Sequence, residues 1–427
     1  MRLMKLAAIA AAGIMTAAPA MADLVIPTLN YRTGPYAPNG IPYADGFSDY
    51  LTYLNVTEGG IGGEKLVERE CETAYNTEKG VECYESLKSD GLIFIPQSTG
   101  ITYQLIPKAT ADGIPVMSPG YGRTSAKNGK VFKWIFNPPG TYWDVASALV
   151  KHAMEQSGGS LDGKKISLVY HNSAYGKEPI RTLEELSKKH GYDLTLLAVD
   201  HPGQEQKSQW LQIRRERPDF VFMWGWGVMN QVAIQEASNI RFPMENFIGV
   251  WWSGSENDVI PAGDGANGYK AATWHAPGAD HPLLNDIKAK VIDAGLGAGD
   301  SSKLGEVLYN RGVMVAIKVA EAIRTAQKMT GKSEITSADM RDGLENLHIT
   351  EARWTELGLP NFAAEIKLSC AVHSDPGLVA VQQWDASSKS WSLVTDFITP
   401  DNEVIDALIE EDSSAFAKEN NITPRDC

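Results

Sequence analysis

Short apolar runs alternating with stretches of helical period, laid out twice along the chain, constrain what this sequence can fold into more than any other feature. The first set of runs is Leu24 to Asn30, KLVERE, Leu92 to Gln97 and Ile114 to Gly120, with helices expected at Tyr43 to Asn55, Glu78 to Lys88 and Tyr103 to Ala111. The second set is Ile166 to Asn172, LTLLAVD, Asp219 to Trp226 and Asn246 to Trp252, with helices expected at Glu178 to His190, Ser208 to Arg217 and Met229 to Ser238. Strands that alternate with helices pair in parallel, because each helix returns the chain to start the next strand in the same direction. The pattern predicts an α/β protein of two similar lobes. Length agrees, since 427 residues exceed the roughly 250 to 300 at which one hydrophobic core stops growing.

Beyond Trp274 an amphipathic helix is expected from about Gly305 to Met329, with Leu304, Leu308, Gly312, Val315, Val319 and Ile323 in one apolar series. The tail carries a strand pair, VAVQQWD and WSLVTDF, joined by Ala386-Ser387-Ser388, and then an acidic helix.

At the other end, Arg2 and Lys5 precede an alanine-rich apolar stretch that ends Ala20-Met21-Ala22. That is the pattern of a secretory signal peptide, cleaved before Asp23. Interrupted by Pro19, the stretch falls short of the roughly 20 unbroken apolar residues of a membrane span, so no membrane insertion of the mature chain is expected. Loss of Arg2 and Lys5 takes the formal charge from −14 to −16. An acidic chain without a Lys/Arg block lacks the basic footprint that nucleic acid requires.

Export places the four cysteines in an oxidising compartment, where disulfides form. Cys71 pairs with Cys83 by proximity and Cys370 with Cys427 by elimination; the alternative is four free thiols. A metal site is disfavoured because no C-x-x-C spacing exists.

The segment GDGANG (Gly263, Gly265, Gly268) matches a dinucleotide fingerprint by letter, but it precedes an apolar run instead of following a strand and opening a helix. It reads as a loop. The chain has no G-x-S-x-G, H-E-x-x-H or Walker A motif, and His275 and His281 lack the carboxylates of a metal set. No cofactor, metal or catalytic constellation is expected.

Ligands of open parallel sheets bind outside the carboxyl ends of the strands. The residues at those ends are Ser98, Thr99, Tyr121 and Gly122 in the first set, then Tyr175, Trp224, Trp226, Trp251, Trp252, Trp274 and His275 in the second. Both lobes thus offer groups to a shared crevice, and the concentration of tryptophan there favours an apolar or aromatic ligand.

In order, the motifs TGPYAPNG (Thr33 to Gly40), EGGIGGEKL, GIPVMSPG, YHNSAYGK (Tyr170 to Lys177), PDFVFMWG and YNRGVMVAIKVAEAI resemble the type I periplasmic binding proteins, in particular the Leu/Ile/Val-binding family and its aromatic- and amide-binding relatives. The resemblance runs from Asp23 to about Leu347. It implies two Rossmann-like lobes joined by a three-crossover hinge, closing on a small-molecule ligand and presenting it to the membrane permease of an ABC transporter, in the periplasm and as a monomer. The implied division is residues 23–140 with about 275–348 as one lobe, 141–274 with about 349–400 as the other, and a helical tail over about 401–427.

By the same resemblance Ser98 or Thr99 and the Tyr121-Gly122 backbone hold a carboxylate or other acceptor, Tyr175 reaches the ligand from the second lobe, Trp226 and Trp274 line the cleft, and Asn39 joins the candidate set. One departure stands out. Amino-acid binders carry an acidic residue for the ligand ammonium where this chain reads GVWWSG, with Trp251 in the acidic position. A buried ammonium without a partner is costly, and an aromatic wall offsets only about 2 kcal/mol of that by cation-π attraction. Glu256, five residues on, is the alternative partner, and the point stays open at this level. An aromatic carboxylate or similar planar solute is the favoured ligand; branched-chain amino acid or amide binding, ligand sensing with the same fold, and a secreted enzyme are the competing readings.

Overall fold

A computed structural model describes residues 23–427; the expected signal peptide lies outside them. The first sheet is parallel, with β1 (Leu24–Asn30) between β2 (Leu66–Glu72) and β3 (Ile95–Pro96). A parallel bridge from Phe94 to Val116 continues it to β4 (Val116–Met117) and β5 (Ile135–Phe136). The second sheet comprises β6 (Lys165–His171), β7 (Asp193–Val199), β8 (Phe220–Trp224), β9 (Phe247–Gly249) and β10 (Lys270–Thr273), all parallel. Two short strands, β11 (His348–Ile349) and β12 (Ile366–Lys367), pair with each other. The antiparallel pair β13 (Ala380–Asp385) and β14 (Ser390–Leu393) completes the second sheet, in the order β14-β13-β10-β9-β8-β6-β7.

Burial explains the sequence pattern. Central β8 is buried at every position because helices cover both faces of a parallel sheet, whereas edge strand β2 (LVERECE) is half exposed and carries charge. The helix Val307–Thr330 lies against Ala37–Glu58, and there Gly312 and Gly46 are required: a Cβ on either would collide with the carbonyl oxygen of Tyr43 or Tyr309 respectively. Ala37–Glu58 begins six residues before the expected Tyr43, opened by Pro38, whose fixed φ suits the first turn.

Other expectations are corrected in extent. The run Ile114 to Gly120 yields only β4, because Pro115 and Pro119 bracket it and cannot donate to a ladder. Asn246 to Trp252 yields β9, after which the chain turns through a short 3-10 segment at Trp251–Ser253. The helix Tyr142–Gln156, closed at its start by a Thr141/Asp144 capping box, had not been expected.

The chain crosses between the two sheets three times: after β5, after β10 and before β13. The last crossing falls between β12 and β13. Residues 348–373 stay with the first lobe, where Arg353 forms a two-point ion pair with Glu321 (2.8 and 2.9 Å) and His373 donates its backbone N–H to the Lys127 carbonyl. Both disulfides form as paired from the sequence, Cys71–Cys83 and Cys370–Cys427. The helix Asn402–Glu419 bridges the lobes: Phe416 stacks on Phe132 (4.7 Å) while Lys189 meets Asp401 (2.8 Å). Among the described residues no helix is long and apolar enough to cross a membrane.

Candidate ligand cleft

Between the carboxyl ends of the two sheets lies a cavity with about 250 Å³ of empty space. From the first lobe it is lined by Tyr31, Tyr75, Gln97, Ser98, Thr99 and Tyr121. Tyr142, just past the first crossing, adds a ring, and the second lobe supplies Tyr175, Trp226 and Trp252. The rings touch in sequence around the cavity: Tyr31 to Trp226 (6.3 Å between centroids), Trp226 to Trp252 (5.2 Å), Trp252 to Tyr121 (5.5 Å), and Tyr142 to Tyr175 (5.3 Å). Most meet edge to face or tilted, the arrangement the ring quadrupole favours.

The polar groups divide into those already engaged and those with capacity left. Tyr175 donates its hydroxyl to the Gly225 carbonyl at 2.8 Å, Tyr121 donates to the Pro96 carbonyl, and Tyr142 shares a hydrogen bond with Thr99 at 3.1 Å. Burial pushes all three phenols up, so they stay neutral. Gln97, only 2% exposed, has no protein partner for either amide atom, and neither does the Trp226 Nε1–H. The helix Thr99–Asp112 starts at the cavity, with Ser98 as its cap. Its first-turn N–H groups have no intrahelical acceptor and sit at the positive end of the helix dipole.

Among the described residues no Asp, Glu, Lys, Arg or His side chain lines the cavity. Glu256 accepts the Val307 N–H at 3.0 Å and burial pushes its carboxyl up to about 8. Asp258, fully buried and pushed up to about 6 by desolvation, accepts from Asn230, Asn39, and both the backbone and hydroxyl of Ser255. Neither acid faces the cavity. Behind the wall the buried Arg311 donates to the Trp251 carbonyl and holds its guanidinium 5.3 Å from the Trp252 ring, burial drawing it down to about 9. One face of that indole therefore already serves a cation.

Six residues proposed from the sequence come together here: Ser98, Thr99, Tyr121, Tyr175, Trp226 and Trp252. The others lie outside the lining. Trp251 is fully buried one layer back, stacked on Tyr142 (4.7 Å), and Trp274 packs on Trp251 (5.2 Å). Trp224 meets the edge of Tyr142, while His275 stacks on Phe362 (5.0 Å). Gly122 turns the backbone at φ +74 and gives its carbonyl to Asn137. Asn39 is a contact between the lobes. Sequence reasoning missed Tyr31, Tyr75, Gln97 and Tyr142. The strand-end rule, applied without a preference for tryptophan, reaches the first three, since Tyr31 follows β1, Tyr75 follows β2 and Gln97 follows β3. Tyr142 gives no such signal.

Further contacts tie the lobes together around the cleft. The Tyr36 hydroxyl sits between His171 Nε2 (2.8 Å) and His201 Nδ1 (2.6 Å), and Glu178 accepts from Tyr103 and from Thr124 (2.9 Å).

Known proteins share this architecture. A protein from the Pseudomonas fluorescens group, described as an ABC transporter permease, is 40% identical and superposes with a TM-score of 0.88 over 95% of this chain and 99% of its own. A branched-chain amino acid ABC transporter protein from Thermus thermophilus with bound valine is 19% identical, with a TM-score of 0.74 over 92% of this chain and 98% of its own. A solute-binding protein from R. palustris in complex with benzoate is 16% identical, with a TM-score of 0.69 over 89% of this chain and 98% of its own. The model of the family described as "Periplasmic binding protein" matches residues 23–388. Fold, cleft position and this match agree, and the chain belongs to the periplasmic binding proteins.

Proposed function

We propose that the protein captures a small aromatic carboxylate, or a similar planar monoanion, between its lobes in the periplasm and delivers it to the permease of an ABC importer. The observation that carries the reading is the lining itself: seven aromatic rings, the uncharged Gln97, Ser98 and Thr99, and no acid. A ligand carboxylate is served by the free N–H groups at the start of the helix Thr99–Asp112 and by the Ser98 and Thr99 hydroxyls, which satisfy charge without a counterion. A ligand ammonium finds no carboxylate, and Arg311 already occupies one face of Trp252. The small volume suits a single ring with short substituents.

The valine-bound and benzoate-bound neighbours are too distant in sequence to decide between ligands, so the choice rests on the lining. The proposal includes a monomer whose lobes, residues 23–140 with 275 to about 374 and residues 141–274 with 380–400, close on the ligand. A thermal-shift screen of the mature chain against aromatic carboxylates, amides, short fatty acids and amino acids tests it. Ligand at about 100 times its dissociation constant adds roughly 2.7 kcal/mol of stability. A shift with aromatic acids and none with leucine or valine supports the reading; the reverse pattern overturns it.

A further inference from the structure

Gln97 is the first residue past β3 and lines the cavity from the first lobe, yet it is neither a hydroxyl nor part of the helix terminus that serves a carboxylate. A primary amide offers two donors on Nε2 and an acceptor on Oε1. Both atoms are buried and neither has a protein partner. Leaving such a group unsatisfied is unfavourable, and Leu or Met fills the same space without that cost. The Trp226 Nε1–H, also in the lining, is a second buried donor without a protein acceptor. By contrast the Tyr121 and Tyr175 hydroxyls donate to backbone carbonyls.

We propose that Gln97 is a specificity-determining residue, and that the ligand is an aromatic carboxylate bearing a ring hydroxyl which Gln97 recognises. This rests on the reading of the cleft as a carboxylate site and narrows its ligand class. The counting of hydrogen bonds favours a hydroxyl. A hydroxyl has one O–H, for Gln97 Oε1, and two lone pairs, for Gln97 Nε2–H and the Trp226 indole N–H. A second carboxylate accepts only, which would leave Oε1 without a donor. An unsubstituted ring satisfies none of these atoms. Sites built to hydrogen-bond a ligand hydroxyl discriminate strongly against analogues without it, because the protein groups are then left unpaired in a dry pocket.

Calorimetry on the mature chain with benzoate, 3-hydroxybenzoate and 4-hydroxybenzoate tests the assignment, in the native protein and in Gln97→Leu. The native protein is expected to bind one hydroxylated isomer at least about 30-fold more tightly than benzoate. In Gln97→Leu that preference is expected to fall to within about threefold. Equal affinity of the native protein for all three acids overturns the assignment, and so does a preference that survives in Gln97→Leu. Should that variant fail to fold, Gln97→Met supplies the same comparison, and the native ratio stands without either. Failure of all three acids to bind, with leucine or valine binding instead, is a distinct result: it removes the carboxylate reading itself and the assignment with it.

Discussion

Asn39 donates its side-chain amide to Asp258 at 3.0 Å, joining the first turn of the helix Ala37–Glu58 in one lobe to the short helix Glu256–Val259 beyond β9 in the other. Asp258 is wholly buried, so the bond is made to a carboxyl that water does not reach, and Asn39 also contacts Ser255 at 3.2 Å. Hydrogen bonds to charged groups contribute about 1.5 to 3 kcal/mol, and this one exists only while the lobes are together. Asn39→Ala therefore weakens ligand binding by roughly 10- to 100-fold through the closed state alone. Calorimetry gives the affinity and small-angle scattering the shape; an unchanged dissociation constant contradicts the latch.

Cavity-lining and second-layer tryptophans respond differently to substitution. Trp226→Ala removes a ring from the lining and lowers affinity by at least about tenfold. Trp251→Ala opens a hole under Tyr142 and costs about 3 to 5 kcal/mol of stability, read from urea unfolding without ligand. If Trp251→Ala unfolds at the native urea midpoint, the layer assignment is wrong.

Burial holds the His171 imidazole down to about 4 from its ordinary 6.5, with His201 adding repulsion and Asp200 opposing it. Tyr36, Ser173 and His201 are the groups on it. Between those two values the unfolded chain binds a proton that the folded chain refuses. The stability contribution is thus complete above 6.5 and is lost as the pH falls toward 4, with about 2 kcal/mol gone at pH 5. Unfolding at pH 7.5 and 5 is expected to show the native chain losing about 2 kcal/mol more than His171→Gln; equal losses contradict the burial argument.

The Cys370–Cys427 bridge closes a loop over a sequence separation of 57 and anchors the tail whose helix touches both lobes. Replacing both cysteines with serine is expected to cost about 4 kcal/mol, against about 3 for the shorter Cys71–Cys83 loop. Urea unfolding of the two double variants checks the order, and an unchanged midpoint for the longer loop contradicts it.

Much of the fold was legible because burial and periodicity leave a record in the chain. Fully buried β8 reads as an unbroken apolar run, and Gly312 marks the place where two helices touch. The short strands β5, β11 and β12 left no such record, being two residues each and held by neighbours distant in sequence. The cleft was legible in outline, since its residues sit where a parallel sheet must place them. Which rings face the cavity was not. Trp251 and Trp252 are adjacent and chemically identical, and only the turn after β9 decides that Trp252 lines the cavity while Trp251 packs behind it. Packing likewise decides where Glu256 lies: its carboxyl accepts the Val307 N–H and is outside the cavity lining.

The central claim is that the cleft accepts a carboxylate on an aromatic body and has no partner for an ammonium. The most direct measurement is calorimetry with 3-phenylpropionate and phenylalanine, which share ring and carboxylate and differ by the amino group. The account predicts that phenylpropionate binds at least about 100-fold more tightly, because burying an unpaired charge costs several kcal/mol. Tighter binding of phenylalanine would contradict it, and would mean that the cleft supplies an ammonium partner that its lining does not contain.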